Sequence, residues 1–270
     1  MQWAKRTLTP STTASLDAAL LLGHVLSRDR SWVLAHGDEP LSAEAEARYR
    51  ELVDRRATGV PVAYLRGYCD WFGLHLRVTP DVLVPRPETE LLVERAVRVA
   101  LERRARFVVD VGTGSGAIAI QLARSLPSAL VTGIDTSRAA LELARYNAAA
   151  LGVAERVNWL GGNLLEPLGE EPNLLVANLP YLSDSAMLEL DRDVRHEPAP
   201  ALYGGPDGLD LYRELFQQRR DRGWTAPVLL EIDPRQATKL TAILDASFGE
   251  SRVSVHRDYA GHDRIIVAGA

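Results

Sequence analysis

The chain contains one cysteine, Cys69, and no long apolar segment among its 270 residues. A single cysteine excludes an internal disulfide and a zinc site built from cysteines, and we expect no metal centre. A membrane-spanning helix needs about 18 or more consecutive apolar residues, and no run in the sequence approaches that length. From these absences we expect a cytoplasmic protein that is not bound to a membrane.

An excess of positive charge is also missing. The formal net charge is -5, and residues 1–70 hold nine Lys or Arg against nine Asp or Glu. Proteins that bind nucleic acids mainly through the phosphates need a basic surface. We therefore expect no strong nucleic-acid binding, and the N-terminal region is not a basic arm.

The sequence divides into three parts. Apolar residues recur at helical spacing between residues 15 and 56, and Ser42 is a predicted N-cap within this region. Leu74, Leu76 and Val78 then alternate with polar residues, which is typical of a hairpin. The helical part could dock a substrate or merely cap the rest of the chain. The predicted domains are a helical N-terminal domain over residues 1–68, a hairpin connector over 69–86 and a large domain over 87–270.

The large domain alternates strands with helices. The predicted strands are residues 107–111, 130–134, 157–160, 174–177, 228–232, 253–256 and 264–267, and the later predicted helices include 184–194 and 209–222. Such alternation predicts an α/β fold, in which a mostly parallel sheet carries helices on both faces. The last two strands have no helix between them, so one strand should be antiparallel to the rest.

A glycine-rich loop follows the first strand of the large domain and opens a helix. Its sequence is Asp110-Val111-Gly112-Thr113-Gly114-Ser115-Gly116. Glycines at such a turn let a ligand approach the free backbone amides at the helix N-terminus. Asp135 ends the next strand, where a carboxylate can bind the hydroxyls of a ribose. These features predict a cofactor that contains adenosine.

Two classes of cofactor are compatible with this loop. Gly112, Gly114 and Ala117 also match the Gly-x-Gly-x-x-Ala pattern of dinucleotide-binding proteins, including nicotinamide dehydrogenases. Asp110 discriminates between the classes, because a carboxylate two residues before the first glycine suits a cationic amino-acid tail and repels a pyrophosphate. The loop resembles the first motif of the class I methyltransferases that use S-adenosyl-L-methionine.

The predicted strand at residues 174–177 ends in an unusual corner, Asn178-Leu179-Pro180-Tyr181. An amide nitrogen and a purine amine are both poor nucleophiles, because their lone pairs are delocalised. The Asn178 side-chain oxygen and the Leu179 backbone carbonyl could accept hydrogen bonds from the two N–H groups of such a nitrogen. Tyr181 could stack on the planar acceptor group, and Pro180 could stiffen the corner. A strand end capped by Asn, with Tyr in the core, is the alternative.

These features together resemble the glutamine-N5 methyltransferases of the PrmC/HemK family over nearly the whole chain. The shared segments are residues 61–65, 84–90, 110–116, 178–181, 197–198 and 257–259. The segment Val84-Pro85-Arg86-Pro87-Glu88-Thr89-Glu90 is far more specific than the glycine loop. The resemblance implies a class I methyltransferase fold, which is Rossmann-like, with a seven-stranded, mostly parallel sheet and one antiparallel strand. A small helical substrate-docking domain and a β-hairpin connector would precede it.

The resemblance also implies a reaction and a set of site residues. The reaction is transfer of a methyl group from S-adenosyl-L-methionine to N5 of the Gly-Gly-Gln glutamine in class I peptide chain release factors, which leaves S-adenosyl-L-homocysteine. The substrate glutamine would be held by Asn178, Leu179, Pro180 and Tyr181. The cofactor would be bound by Asp110, Gly112, Thr113, Gly114, Ser115, Gly116, Asp135, Asn163, Leu164 and Asn178.

The chain departs from the family pattern at two positions. The family usually has Asn-Pro-Pro-Tyr, whereas Leu179 gives this chain the Asn-Leu-Pro-Tyr form that is also seen in adenine-N6 dimethyltransferases of ribosomal RNA. Asn163 stands where the family often carries an Asp near the adenine amine, and its carbonyl oxygen can still accept a hydrogen bond. The alternative functions are an adenine-N6 methyltransferase that acts on RNA or DNA, and a non-catalytic binding module.

Overall fold

The N-terminal helices pack around an apolar core of their own. The computed structural model describes residues 1–9, 11–248 and 252–269. Its first helices are α1 (Gln2–Thr7), α2 (Ala14–Leu26), α3 (Arg30–Ala35), α4 (Ala43–Ala57) and α5 (Val62–Arg66). Leu8, Leu21 and Val53 are buried between them. Ser42 caps α4 as predicted, because its hydroxyl accepts a hydrogen bond from the Ala45 N–H.

The hairpin packs on the large domain. Its strands β1 (Tyr68–Trp71) and β2 (Leu74–Arg77) are antiparallel, and the buried side chains of Trp71 and Leu76 join the core of the large domain. Asn147, from a helix of that domain, accepts a hydrogen bond from the Arg77 N–H at 2.9 Å and donates one to the Arg77 carbonyl at 3.0 Å. A single buried amide thus fixes the second hairpin strand in place.

Within the described residues, the large domain is built on a seven-stranded sheet. The strands are β3 (Phe107–Val111), β4 (Leu130–Asp135), β5 (Val157–Gly161), β6 (Leu174–Ala177), β7 (Val228–Glu231), β8 (Val253–Arg257) and β9 (Asp263–Ala268). Their order in the sheet is β5-β4-β3-β6-β7-β9-β8. Strand β9 is antiparallel to both β7 and β8, and the other pairs are parallel. The predicted sheet with one antiparallel strand is confirmed.

Helices cover both faces of the sheet. They are α6 (Glu88–Glu102), α7 (Ala117–Ser125), α8 (Arg138–Ala150), α9 (Asp184–Leu188), α10 (Asp210–Asp221) and α11 (Ala237–Phe248). Val108 and Val109 of β3 are fully buried in different core clusters, one on each face, which explains why this strand is a continuous apolar run. None of the helices in the described part of the chain is long and apolar enough to cross a membrane.

The helix predicted at residues 184–194 is wrong in its second half. Helix α9 ends at Leu188, and a separate 3-10 turn covers Val194–His196. Between them, the carboxylate of Asp193 turns towards the N-terminal helices and pairs with the Arg56 guanidinium. This long-range ion pair is not visible in the local pattern that predicted a continuous helix.

Arg56 also holds a buried ion pair within the N-terminal helices. Its Nε donates to Asp17 at 2.7 Å, and both side chains are buried, with exposed fractions of 4% and 6%. The same guanidinium donates two hydrogen bonds to Asp193, at 2.7 and 2.6 Å. Arg56 therefore links the N-terminal helices to the segment between α9 and the 3-10 turn.

Replacing Arg56 by Met should destabilise the chain strongly. The substitution leaves the Asp17 carboxylate buried without its cation, which typically costs about 3–5 kcal/mol. As the matched control, Asp193→Asn removes a carboxylate that is 46% exposed and should cost at most about 1 kcal/mol. Urea unfolding of both variants measures the difference. An equal loss in the two variants would contradict the assignment.

Candidate active site

A cavity of about 690 Å³ opens at the carboxyl ends of the central strands. It is lined by residues at or just beyond the carboxyl ends of β3, β4, β5 and β6, including Gly112, Asp135, Asn163 and Asn178. This is where parallel α/β sheets bind their ligands, in the crevice between strands whose connections leave in opposite directions. Most of the residues predicted for the cofactor are brought together in this one cavity.

The glycine loop is anchored by backbone hydrogen bonds to β4. The N–H groups of Gly112 and Thr113 donate to the Ile134 carbonyl, each at 2.9 Å. Gly114 has a φ of +54°, and no heavy atom among the described residues lies within 4 Å of the position a Cβ would occupy. A ligand can therefore approach the loop backbone closely at Gly114.

Asp135 lies half-buried beside the loop. Its Oδ2 accepts a hydrogen bond from the Gly114 N–H and its Oδ1 accepts one from the Ser137 N–H, both at 2.8 Å. Each carboxylate oxygen has a second lone pair. Asp135 thus orients the loop and can still accept hydrogen bonds from the hydroxyls of a ribose.

Asn163 and Leu164 form part of the wall beyond β5. The Asn163 Nδ2 donates to Glu214 Oε1 at 2.5 Å, which leaves its carbonyl oxygen as an acceptor. An adenine amine needs such an acceptor.

The Asn178 corner separates the large cavity from a smaller one. Asn178, Leu179 and Pro180 line both cavities, while Tyr181 lines the smaller one, which has a volume of about 310 Å³. The smaller cavity also contains apolar side chains from α9 and from the segment that follows it. A group in the smaller cavity would meet a group in the larger one at Asn178.

The corner is held rigidly from behind. The Tyr212 hydroxyl lies beside the Leu179 backbone and donates a hydrogen bond to the Glu231 carbonyl at 2.5 Å. Gln236 donates to the Tyr181 carbonyl at 2.7 Å, and a Cβ at Gly208 would come within 2.1 Å of that oxygen. The backbone direction of the corner is therefore fixed by three different elements.

The Leu179 side chain faces away from solvent and packs on the glycine loop. It is 3% exposed, and its Cδ2 lies 3.1 Å from the position that a Cβ on Gly112 would occupy. The residue that differs from the usual Asn-Pro-Pro-Tyr pattern thus fills space between the two halves of the site.

Comparison with known proteins identifies the family. Residues 1–67 match the model of the PrmC N-terminal domain, and residues 87–195 match that of the methyltransferase small domain. Proteins named release factor glutamine methyltransferase from Moorella thermoacetica and Deinococcus radiodurans are 42% and 41% identical. Each alignment covers 94% of this chain and 90% of the relative. The chain belongs to the release factor glutamine methyltransferase family.

Solved structures of proteins with low sequence identity to this chain share its fold. The catalytic domain of hMettl16 in complex with MAT2A 3'UTR hairpin 6 has a TM-score of 0.59 at 11% identity, and 81% of each chain is covered. A human methyltransferase 10 domain containing protein has a TM-score of 0.53 at 13% identity, over 73% of this chain and 89% of its own. These likenesses support the class I methyltransferase fold. Family membership also makes S-adenosyl-L-methionine the methyl donor, as predicted.

Asp110 fits a cationic donor such as S-adenosyl-L-methionine. It is fully buried beneath the loop, where its Oδ2 accepts from the Thr113 hydroxyl at 2.5 Å and from the Ala119 N–H at 3.2 Å. Its Oδ1 has no hydrogen-bond partner within the described ranges. A cation at the loop would stabilise this carboxylate, whereas a pyrophosphate would repel it. Of the residues predicted for the cofactor, Asp110 and Gly116 support the loop from below and the others line the cavity.

Several residues of the site were not predicted. Arg86 lines both cavities, and its guanidinium pairs at 2.5 Å with the buried Glu197, whose other oxygen accepts from the Val84 N–H. Thr89, which lines the large cavity, and Glu231, which does not, both lie next to Asn178. The segments that contain Arg86, Thr89 and Glu197 resemble those of the family, but no local pattern indicates that residues 111 positions apart form a pair.

Replacing Asp110 by Asn should make the free energy of unfolding of this protein less dependent on pH. Burial raises the pKa of Asp110 to about 7, although hydrogen bonds from Thr113 and Ala119 oppose the rise. Between pH 3.8, the ordinary value, and about 7, the folded protein therefore keeps a proton that the unfolded chain releases. The wild type loses stability as pH rises through this window, by up to about 1.4 kcal/mol per unit, and Asp110→Asn should not.

Urea unfolding of both proteins at pH 5, 6 and 7 measures this difference. The free energy of unfolding of Asp110→Asn should rise relative to the wild type with each step in pH. A difference that stays constant would contradict a raised pKa at Asp110.

Proposed function

We propose that this chain methylates N5 of the glutamine in the Gly-Gly-Gln motif of class I peptide chain release factors. The observation that carries the proposal is that Asn178, Leu179 and Pro180 line both cavities. The large cavity would hold the methyl donor against the glycine loop and Asp135. The glutamine side chain would enter the smaller cavity, with its amide nitrogen at the corner.

The corner residues would activate and orient the amide nitrogen. The Asn178 Oδ1 and the Leu179 carbonyl would each accept a hydrogen bond from one N–H of the glutamine, which turns the nitrogen lone pair towards the large cavity. S-adenosyl-L-methionine, when bound, supplies a methyl group on a sulfonium and leaves as S-adenosyl-L-homocysteine. Tyr181 would stack on the amide plane, and water would take the proton that the methylated nitrogen loses.

One of the two groups proposed to accept a hydrogen bond from the glutamine amide is the main-chain carbonyl of Leu179. A Leu side chain at this position does not remove it, because the carbonyl belongs to the backbone. An adenine-N6 methyltransferase is not the favoured alternative, because the relatives at about 40% identity are named release factor glutamine methyltransferase.

The N-terminal helices, residues 1–68, would dock the release factor. The reaction would take place in the cytoplasm without strong nucleic-acid binding.

Methyl transfer to a release factor tests the proposed substrate. The protein is incubated with radiolabelled S-adenosyl-L-methionine and either a class I release factor, the same factor with its Gly-Gly-Gln glutamine replaced by alanine, or total RNA. Label should appear on the unaltered factor alone. Label on RNA, or equal label on both factors, would contradict the proposal.

Replacing Asn178 by Ala should lower turnover and leave donor affinity nearly unchanged. The variant loses an acceptor that acts on the glutamine amide, so kcat should fall at least about 100-fold, while the Kd for S-adenosyl-L-methionine changes less than about threefold. Asn158→Ala, at an exposed position in β5, is the matched control and should retain activity. A loss of donor affinity as large as the loss of turnover would show that Asn178 serves the donor instead.

A further inference from the structure

We propose that Thr89 and Glu231 form a buried hydrogen-bond relay that sets the orientation of the Asn178 amide. This inference rests on the proposed function, because it concerns the group that is proposed to accept a hydrogen bond from the substrate. Thr89 and Glu231 would be positioning residues, which act on the glutamine only through Asn178.

The relay begins at the side chain of Asn178. Its Nδ2 donates to the Thr89 hydroxyl oxygen at 3.2 Å. An asparagine amide has a donor end and an acceptor end, and the two are similar in shape. With Nδ2 held towards Thr89, the Oδ1 end is presented on the other side, to a group that enters the site. In the opposite orientation the amide would present N–H groups to the N–H groups of a glutamine, and they would repel each other.

Thr89 can discriminate between these orientations because its hydroxyl has a single proton. The residue lies in the first turn of α6 and is 4% exposed. Its hydroxyl lies close enough to the Glu231 carboxyl group to lower the pKa of that group, and in the proposed relay it donates its proton to Glu231. When the proton is donated to Glu231, the Thr89 oxygen can only accept from Asn178. The direction of the second hydrogen bond therefore follows from the first.

Glu231 supplies the fixed acceptor at the end of the relay. Ala177 of β6 pairs with Leu230 of β7, so Asn178 and Glu231 leave neighbouring strands side by side. Glu231 is 1% exposed, and its Oε2 has no hydrogen-bond partner among the residues that the structure describes. Glu231 does not line the donor cavity. Its carboxylate is therefore not placed to contact the donor there.

The ionisation state of Glu231 determines the assay conditions. Burial raises the pKa of Glu231 to about 7, and the charge of Glu88 adds to the rise. The Thr89 hydroxyl and the charges of Arg264 and Arg86 oppose it. Tyr181 also lies close enough to interact with this carboxylate. At pH 8 Glu231 is mostly ionised, and an ionised carboxylate can only accept a hydrogen bond. The comparison of variants is therefore made at pH 8.

Thr89→Val and Thr89→Ser test the relay as a matched pair. Valine has nearly the shape of threonine without the hydroxyl, and serine keeps the hydroxyl without the methyl group. Thr89→Val should lower kcat for the release factor at least about tenfold, with the KM for S-adenosyl-L-methionine unchanged within about threefold. Thr89→Ser should stay within about threefold of the wild-type kcat. A packing role would predict similar losses in both variants, and that result would overturn the proposal.

An NMR measurement tests the relay without any turnover. The side-chain NH₂ signals of Asn178 are assigned in a ¹⁵N spectrum by their absence in Asn178→Ala. One of the two protons should exchange slowly with water in the wild type and in Thr89→Ser, and rapidly in Thr89→Val. Equal exchange in Thr89→Val and the wild type would overturn the relay. Slow exchange in a protein that labels no release factor would leave the relay standing and contradict the proposed function instead.

Discussion

The site depends on one structural constraint, the parallel pairing of β3 with β6 in the middle of the sheet. Val111 pairs with Ala177, so the glycine loop and the Asn178 corner leave the sheet next to each other. The contact of the Leu179 side chain with Gly112 then closes the space between them. Methyl transfer needs donor and acceptor in line at short distance, and this pairing provides that geometry in the fold itself.

Rigidity at the corner comes from long-range contacts. Tyr212 lies beside Leu179 and donates to the backbone carbonyl of Glu231, and Gln236 donates to the backbone carbonyl of Tyr181. The wall of the smaller cavity is held in turn by Glu197, which pairs with Arg86, and by Arg56, which pairs with Asp193. The N-terminal helices thus contact the segment that borders the acceptor cavity, in addition to any role in docking a partner.

Much of the fold was predictable because its determinants are local. The seven strands are short apolar runs separated by helical patterns, and the glycine loop and the Asn178 corner are continuous segments of sequence. The end of α9 was not predictable, because the ion pair between Arg56 and Asp193 that accompanies it joins residues 137 positions apart. The relay from Asn178 to Glu231 escaped prediction for the same reason, since Thr89 is 89 positions from Asn178.

The central claim is that the corner accepts both N–H groups of a glutamine amide while the donor occupies the neighbouring cavity. The most direct test is a crystal structure of the chain with S-adenosyl-L-homocysteine and a peptide that contains Gly-Gly-Gln. The amide nitrogen should lie about 2.7–3.2 Å from both Asn178 Oδ1 and the Leu179 carbonyl oxygen, and it should face the sulfur. A glutamine bound outside the smaller cavity, or one whose amide oxygen faces Asn178, would contradict the claim.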